Sequence, residues 1–202
     1  ALSPFINLSE KLGLLASQLT EGRINQVDIN YSGEMTRYDL TSLTLSLIKG
    51  ILSPMLGDSV NFVNSLALAQ ERQIKVQEIK SSKIEQFANL VSVELKTDKT
   101  KTQIQGTLFT NSEPRIVKIN QFYVEALPSG YMLVIQNWDK PGIIGALGTI
   151  LGKHNINIAG MTFGRTSPGA DAISVLNVDS PVPQDVLSEI KKAQHIQSVK
   201  LI

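Results

Sequence analysis

The chain contains no cysteine among its 202 residues. This absence excludes disulfides, thiolate metal ligands, iron–sulfur clusters and a thiol nucleophile, and it is compatible with a reducing cytosol. An excess of positive charge is also lacking, since 19 Lys and Arg residues face 18 Asp and Glu residues. We therefore expect no nucleic-acid partner, because neutralising backbone phosphates requires a basic surface.

Long apolar runs are missing as well. The longest, at 132–135 and 143–151, are too short or too interrupted by Gly to supply the ~20 helical residues that cross a bilayer, so we expect no membrane partner. The chain begins Ala1-Leu2-Ser3-Pro4 without a starting Met or a signal-peptide pattern. We interpret it as part of a longer protein.

Groups that perform catalysis are sparse. His154 and His195 each lie beside a turn without a second donor at ligand spacing, so no metal site is expected. No Ser–His–Asp grouping, phosphate-binding GxxxxGK loop or paired-carboxylate motif can be assembled. Gly142, Gly145 and Gly148 follow a strand pattern, but their GxxGxxG spacing differs from the GxGxxG of dinucleotide-binding folds. The expectation is no catalytic residue and no bound cofactor in this chain.

The first part of the chain, 1–127, predicts one α+β domain with helices packed on a mixed or antiparallel sheet. Apolar residues at helical or alternating spacing mark its elements. Asp39 is the predicted N-cap of the second helix. The predicted helices cover 8–19, 39–56 and 61–71, and the predicted strands cover 25–31, 74–79, 90–95, 104–108 and 116–119.

The second part, 131–202, predicts a ferredoxin-like βαββαβ unit, which is an antiparallel four-stranded sheet with both helices on one face. The opposite sheet face, which includes Leu133, Ile135 and Leu176 or their alternates, is expected to find a cover, as is a pairing-competent edge. The predicted strands are 131–137, 156–163, 172–178 and 196–201, and the predicted helices are 142–153 and 184–193.

The sharpest local feature is the loop between the first strand and first helix of this unit. It reads Asn137-Trp138-Asp139-Lys140-Pro141-Gly142-Ile143-Ile144-Gly145. Pro141 suits a first helical turn, and Asp139 is predicted to cap the free amides there. Gly142 and Gly145 leave space for a small ligand or another backbone. Open space and free amides favour a carboxylate or ammonium group.

This loop and the segment 155–165, which reads NINIAGMTFGR, resemble the ACT domain of D-3-phosphoglycerate dehydrogenases. The upstream segments 10–19, 61–64, 71–76 and 113–117 resemble the intervening, allosteric substrate-binding domain of the long form of that enzyme. Both resemblances together cover nearly the whole chain. They imply a regulatory C-terminal part that follows an NAD-binding catalytic half, with NAD bound by the parent enzyme only.

The resemblance also implies partners and site residues. It implies that two ACT domains join edge to edge into a homodimer, within a tetrameric parent, and bind L-serine or a similar amino acid at the interface. Asp139 matches the contact to the amine, and Asn157 matches a contact across the interface. Asn137 replaces a histidine or tyrosine of some relatives. The implied ligand-binding set is Asn137, Asp139, Pro141, Gly142, Ile143, Gly145 and Asn157, with Arg115 as an anion-binding position in the intervening domain.

Two other functions stay open. Both domains are compatible with a purely structural oligomerisation module that has no ligand response. The regulatory part of an iron–sulfur L-serine dehydratase shares related domains, although the absence of cysteine argues against it. The expected location is the cytoplasm, or a plastid or other organelle stroma if the parent chain has a transit peptide.

Overall fold

The computed structural model describes residues 2–83, 86–110 and 112–202. The chain divides into two compact units, at residues 1–120 and 121–202. Its helices are α1 Ser3–Leu19, α2 Thr41–Leu56, α3 Ser65–Glu71, α4 Ile143–Lys153 and α5 Gln184–Lys192. Its strands are β1 Ile24–Gly33, β2 Lys75–Ser81, β3 Asn89–Thr97, β4 Lys101–Phe109, β5 Glu113–Ile119, β6 Phe122–Ala126, β7 Tyr131–Trp138, β8 Ile158–Arg165, β9 Asp171–Val178 and β10 Ile196–Leu201.

The first unit packs α1 and α2 on a mixed sheet, which confirms the predicted α+β class. Five of its strands follow the order β2-β1-β3-β4-β5, with β1 and β2 parallel and the other neighbouring pairs antiparallel. Along β1, Val27, Ile29 and Tyr31 are fully buried while the residues between them are more exposed. Successive side chains of a strand point to opposite faces of the sheet, so this alternation shows that β1 buries mainly one face.

Several boundaries in the first unit differ from the prediction. The first helix starts at Ser3 rather than at 8, and two other differences have a local cause. Asp39 does not cap α2, whose N-cap is Leu40 with no side-chain cap hydrogen bond. The Asp39 carboxylate instead accepts hydrogen bonds from the backbone amide and the hydroxyl of Thr41, at 3.0 and 2.6 Å. The third helix starts at Ser65 rather than 61, because the side chains of Asn61 and Asn64 bond nearby backbone amides in a turn.

The second unit has the predicted βαββαβ order. Its sheet runs β10-β7-β9-β8, and all neighbouring pairs are antiparallel. Leu133, Ile135 and Leu176 are fully buried on the face that α4 and α5 cover, together with Leu147 and Ile190. The face opposite the helices therefore presents the alternates of these strand residues.

The segment before this sheet adds a strand that the pattern analysis did not assign. β6, at Phe122–Ala126, belongs to the second unit and passes over β8. The amide of Glu125 donates to the Thr162 hydroxyl at 3.2 Å. A Cβ on Gly164 would lie 2.5 Å from the carbonyl oxygen of Tyr123, so only glycine permits this approach. β6 thus covers part of the sheet face opposite α4 and α5, for which the sequence predicted a cover.

Among the described residues, no helix is long and apolar enough to cross a membrane.

Candidate functional site

The loop between β7 and α4 places a carboxylate beside an open helix start. α4 begins at Ile143, and its N-cap is Gly142 in the left-handed region, with φ 97°. Glycine adopts this conformation without strain. A Cβ added at Gly142 or Gly145 would meet nothing within 4 Å. The approach to the helix start is therefore open, as the glycines in the sequence predict.

Asp139 does not cap this helix, which corrects the prediction made for it. α4 has no side-chain cap hydrogen bond, and Pro141 lies before its N-cap rather than in its first turn. The Asp139 carboxylate instead accepts hydrogen bonds from Arg165 Nη1 at 2.8 Å and from the amide of Gly169 at 3.0 Å. Both donors come from the end of β8 and the loop that follows it, 26 and 30 residues after Asp139 in the chain. The local sequence around Asp139 therefore gives no sign of these contacts.

The charge state of Asp139 follows from these two donors. The hydrogen bond from the Gly169 amide, followed by that from Arg165, lowers the pKa of the carboxyl below its ordinary value. Donors to the charged form of a carboxyl favour ionisation. Asp139 is therefore an ionised carboxylate at neutral pH, able to pair with an ammonium group.

Asn137 lies near the end of β7, and its side chain is buried. It is 3% exposed. Its Oδ1 accepts from the Ser174 hydroxyl at 2.9 Å, and its Nδ2 donates to the carbonyl of Trp138 at 2.9 Å. Each end of the amide thus has one hydrogen-bond partner within the domain.

A cleft of about 320 Å³ opens beside Asp139. This volume is at the small end of the roughly 300–1,000 Å³ range of ligand pockets, which suits a ligand of amino-acid size. Three predicted site residues line it, namely Asn137, Asp139 and Ile143. The other lining residues are Lys140, Ile144, Phe163, Gly164, Arg165 and Ala172.

The predicted residues Pro141, Gly142, Gly145 and Asn157 do not line this cleft. Asn157 lies at the far end of the sheet, just before β8, while Asp139 contacts the other end of β8 through Arg165. Those ends are seven residues apart, or roughly 23 Å at about 3.3 Å per residue. One chain therefore does not bring Asn157 and Asp139 together. The Asn157 Nδ2 donates to Asp179 Oδ2 at 2.6 Å.

Comparison with known families identifies both units. The D-3-phosphoglycerate dehydrogenase intervening domain matches residues 1–120, and the ACT domain matches residues 131–195. The chain belongs to the D-3-phosphoglycerate dehydrogenase family. Its two units are thus an intervening domain and an ACT domain, which confirms the resemblance seen in the sequence.

Full-length relatives agree with this assignment. The chain is 35% identical to a D-3-phosphoglycerate dehydrogenase of Methanocaldococcus jannaschii over 201 residues, which are 100% of this chain and 38% of the relative. It is 36% identical to that of Synechocystis over 197 residues, or 97% of this chain and 36% of the relative. It is 34% identical to that of Bacillus subtilis over 201 residues, or 100% and 38%. The chain therefore spans little more than a third of these relatives.

In the intervening domain, the predicted anion-binding residue Arg115 lies on β5 and is engaged within the domain. Its Nη1 donates to the Pro114 carbonyl at 3.0 Å, and its Nη2 lies 3.1 Å from Glu113 Oε2. Its guanidinium also lies 5.5 Å from the centre of the Phe109 ring. An anion would have to compete with Glu113 for this cation.

In the ACT domain, sequence reasoning missed Lys140, Ile144, Phe163, Gly164, Arg165 and Ala172 as lining residues. Lys140 and Ile144 lie inside the motif and were open to prediction from their position. Arg165 and Ala172 face each other across β8 and β9, so their place in the cleft depends on strand register. The pairing of Arg165 with Asp139 spans 26 residues and has no local signal.

Metal-binding groups do not cluster in the part of the chain that the structure describes. His154 pairs with a carboxylate instead, since its Nε2 lies 2.8 Å from Glu189 Oε2. This contact joins the end of α4 to α5. His154 therefore has a structural partner within the ACT domain.

Proposed function

We propose that this chain is the regulatory part of a D-3-phosphoglycerate dehydrogenase, in which the ACT domain binds a free amino acid, L-serine or another. Binding of the amino acid exerts feedback control on a catalytic half that lies elsewhere in the parent protein. NAD binds to that catalytic half, and the enzyme works in the cytoplasm. The observation that supports this function is the pair of opposite charges at one cleft, Asp139 and Arg165.

The geometry of that pair favours a zwitterion. Asp139 Oδ2 and Arg165 Nη1 lie 2.8 Å apart, and both side chains are partly exposed. An amino acid entering the cleft offers an ammonium to Asp139 and a carboxylate to Arg165, so both charges keep a partner when their mutual contact opens. A simple amine or a simple carboxylate replaces only one of the two contacts. The site should therefore discriminate against singly charged analogues.

The start of α4 adds favourable interactions for the ligand carboxylate. The first hydrogen bond of the helix runs from the Ala146 amide to the Gly142 carbonyl at 2.8 Å. The amides of Ile143, Ile144 and Gly145 precede it and have no acceptor within the helix. These amides lie at the positive end of the helix dipole, which favours an anionic group. Lys140, at the same cleft, contributes a further positive charge.

A second copy of the chain completes the site in this proposal. β8 is an edge strand of the described sheet, so its outer side is available for pairing with another strand. An antiparallel two-fold pairing of β8 with its copy brings the Asn157 end of one strand next to the Arg165 end of the other. Asn157 and Asp139 then face one ligand from two chains. An ammonium only donates hydrogen bonds, so the Asn157 oxygen is the atom that accepts from it in this proposal, while the Asn157 nitrogen donates to Asp179 Oδ2.

The test is calorimetric titration of the chain with L-serine and other L-amino acids. Asp139→Asn should weaken binding at least about tenfold, since the ammonium loses a charged acceptor. Asp185→Asn, an exposed carboxylate in the first turn of α5, removes the same charge away from the cleft and should bind normally. If no L-amino acid at millimolar concentration produced heat or raised the melting temperature, the ligand proposal would be wrong.

A pure assembly module is the second candidate, and the open edge of β8 favours it. Sedimentation of the chain with and without bound amino acid separates the two functions. A scaffold assembles to the same extent in both solutions, whereas a ligand shared by two chains shifts assembly. The L-serine dehydratase alternative has no such support, because the full-length relatives are named D-3-phosphoglycerate dehydrogenases.

A further inference from the structure

Asn157, directly before β8, makes two contacts with a single residue at the end of the neighbouring strand β9. The Asp179 amide donates to the Asn157 carbonyl at 3.2 Å, one step beyond the paired residues Ile158 and Val178. The Asn157 Nδ2 donates to Asp179 Oδ2 at 2.6 Å. The backbone contact fixes the position from which the Asn157 side chain starts, and the side-chain contact fixes how its amide is turned.

The contact with Asp179 allows only one orientation of the Asn157 amide. A carboxylate has no hydrogen to donate, so it pairs with the amide nitrogen and not with the amide oxygen. Rotating the amide by half a turn would place Oδ1 against Asp179 Oδ2, and two acceptors that face each other form no hydrogen bond. Asp179 therefore holds the Asn157 nitrogen on the side of β9.

The two sides of β8 differ in what lies beside them. β9 pairs with β8 on one side, while β8 is the last strand of the described sheet on the other. With Nδ2 held toward β9, the oxygen at the other end of the planar amide is turned away from β9. This is the side on which the proposed dimer places the Arg165 end of a second β8.

We propose that Asp179 is a positioning residue of the amino-acid site and acts on the ligand through Asn157. By accepting from Nδ2, Asp179 presents the Asn157 Oδ1 to the ammonium of a ligand bound at Asp139 of the second copy. Hydrogen bonding to a carboxylate also polarises the amide, which makes Oδ1 a stronger acceptor. The inference rests on the proposed site shared by two chains and adds to it a residue that does not itself contact the ligand.

A double-mutant cycle, measured by calorimetric titration of the chain with L-serine, tests this role. Asp179→Ala should weaken binding about three- to tenfold, the effect of one hydrogen bond, and Asn157→Ala should weaken it at least as much. Because Asp179 acts through Asn157, Asp179→Ala should cause no further loss in a chain that already carries Asn157→Ala. An equal loss in both backgrounds overturns the proposal, as does unchanged binding by the Asp179→Ala chain.

Asp179→Asn separates positioning from charge. The new side chain lacks the negative charge but keeps an oxygen that accepts from Asn157 Nδ2. We expect its affinity to lie closer to that of the unmodified chain than to that of Asp179→Ala. Equal losses in the two variants would show that the charge of Asp179 attracts the ammonium directly, and would overturn the positioning role. Asp185→Ala removes an exposed carboxylate from the first turn of α5 and is the control, which should bind normally.

Sedimentation of the ligand-free chain detects a merely structural role. The bond from the Asp179 amide to the Asn157 carbonyl belongs to the backbone, so Asp179→Ala leaves it in place. The dimer dissociation constant without ligand and the circular dichroism spectrum should therefore stay unchanged. Weaker ligand-free self-association of this variant would show that Asp179 supports strand pairing, and would overturn the proposal.

Failure of this inference is distinguishable from failure of the proposed function. If the unmodified chain binds no L-amino acid, the proposed function fails and the role of Asp179 fails with it. If the unmodified chain binds L-serine and Asn157→Ala binds it equally well, the site at Asp139 stands and the role of Asp179 is overturned.

Discussion

Asp139 illustrates how a residue near a helix start acquires a role that its local sequence does not predict. Its position before Pro141 and Gly142 is typical of a helix cap, yet its carboxylate bonds Arg165 and the Gly169 amide. The two donors lower the pKa of the carboxyl and keep it ionised. In the proposed site, the contact with Arg165 also means that a ligand must satisfy two charges at once.

The pH dependence of ligand binding follows from this environment. Because the Gly169 amide and Arg165 lower the pKa of Asp139, the carboxyl stays ionised below its ordinary range. We expect amino-acid affinity to be constant from about pH 8 to pH 5 and to fall only below about pH 4, where Asp139 takes up a proton. Calorimetric titration at several pH values across this range measures the amino-acid affinity. A loss of affinity centred near pH 6 would instead indicate a histidine in the site.

Asp28 offers a second prediction at this scale, in the intervening domain. Burial raises the pKa of this carboxyl, but hydrogen bonds from Lys96 and Gln26 outweigh burial and leave the pKa lowered. Since the folded-state pKa is the lower one, the stabilisation is present above the unfolded value of about 3.9 and is lost as the pH falls through the folded value. Lys96 and Asp28 are both partly exposed.

We therefore expect Asp28→Asn to lower the melting temperature at pH 7 by roughly 2–4 °C, the shift that about 1 kcal/mol produces in a chain of this size. The difference from the unmodified chain should shrink as the pH falls below about 4. Scanning calorimetry at several pH values is the measurement. Asp58→Asn, at an exposed carboxylate, is the control. A difference that grew on acidification would contradict the sign of the lowered pKa.

At the scale of elements, α1 and α2 pack so closely that side chains are excluded at their crossing. A Cβ on Gly13 would lie 2.1 Å from the Leu47 carbonyl oxygen, and a Cβ on Gly50 would lie 2.0 Å from that of Glu10. Backbone atoms cannot move aside as a flexible side chain can. The two glycines therefore set the distance between the helices that cover the sheet.

Gly13→Ala should consequently force the helices apart and destabilise the chain by about 1–3 kcal/mol, the usual cost of overpacking. Gly152→Ala in α4 is the matched control, because an added Cβ there meets nothing within 4 Å. That control should be neutral or stabilising by up to about 1 kcal/mol, since alanine favours a helix over glycine. Urea denaturation of both variants provides the comparison. Equal effects of the two substitutions would show that the crossing tolerates a methyl group.

At the scale of the whole molecule, the proposed function depends on two chains rather than one. Asn157 and Asp139 lie at opposite ends of β8, so an antiparallel pair of β8 strands is needed to bring both to one ligand. The relatives are much longer than this chain, which covers 38% of the Methanocaldococcus protein. The proposed regulatory coupling to a catalytic half is thus to be tested in the longer protein.

Linkage makes a prediction at this scale. If the ligand is shared by two chains, saturation with amino acid should lower the dimer dissociation constant, and dimerisation should raise ligand affinity by the same factor. A factor of about 5–150 is typical of coupled sites. Analytical ultracentrifugation over a concentration series, with and without ligand, measures the change in the dimer dissociation constant. Calorimetry at two protein concentrations measures the change in ligand affinity. A dimer dissociation constant that is the same with and without ligand would favour the pure assembly module.

The amino-acid sequence by itself determined most of the elements, the βαββαβ order, the open glycines at the start of α4 and the family resemblance. These features depend on residues that are neighbours in the chain, whose spacing sets helical or strand periodicity. Only the tertiary structure decided that Asp139 pairs with Arg165, that Asn137 is internally bonded, and that β6 passes over β8. Those contacts join distant segments, so they depend on strand register and on how the sheet and its helices pack, which no local pattern encodes.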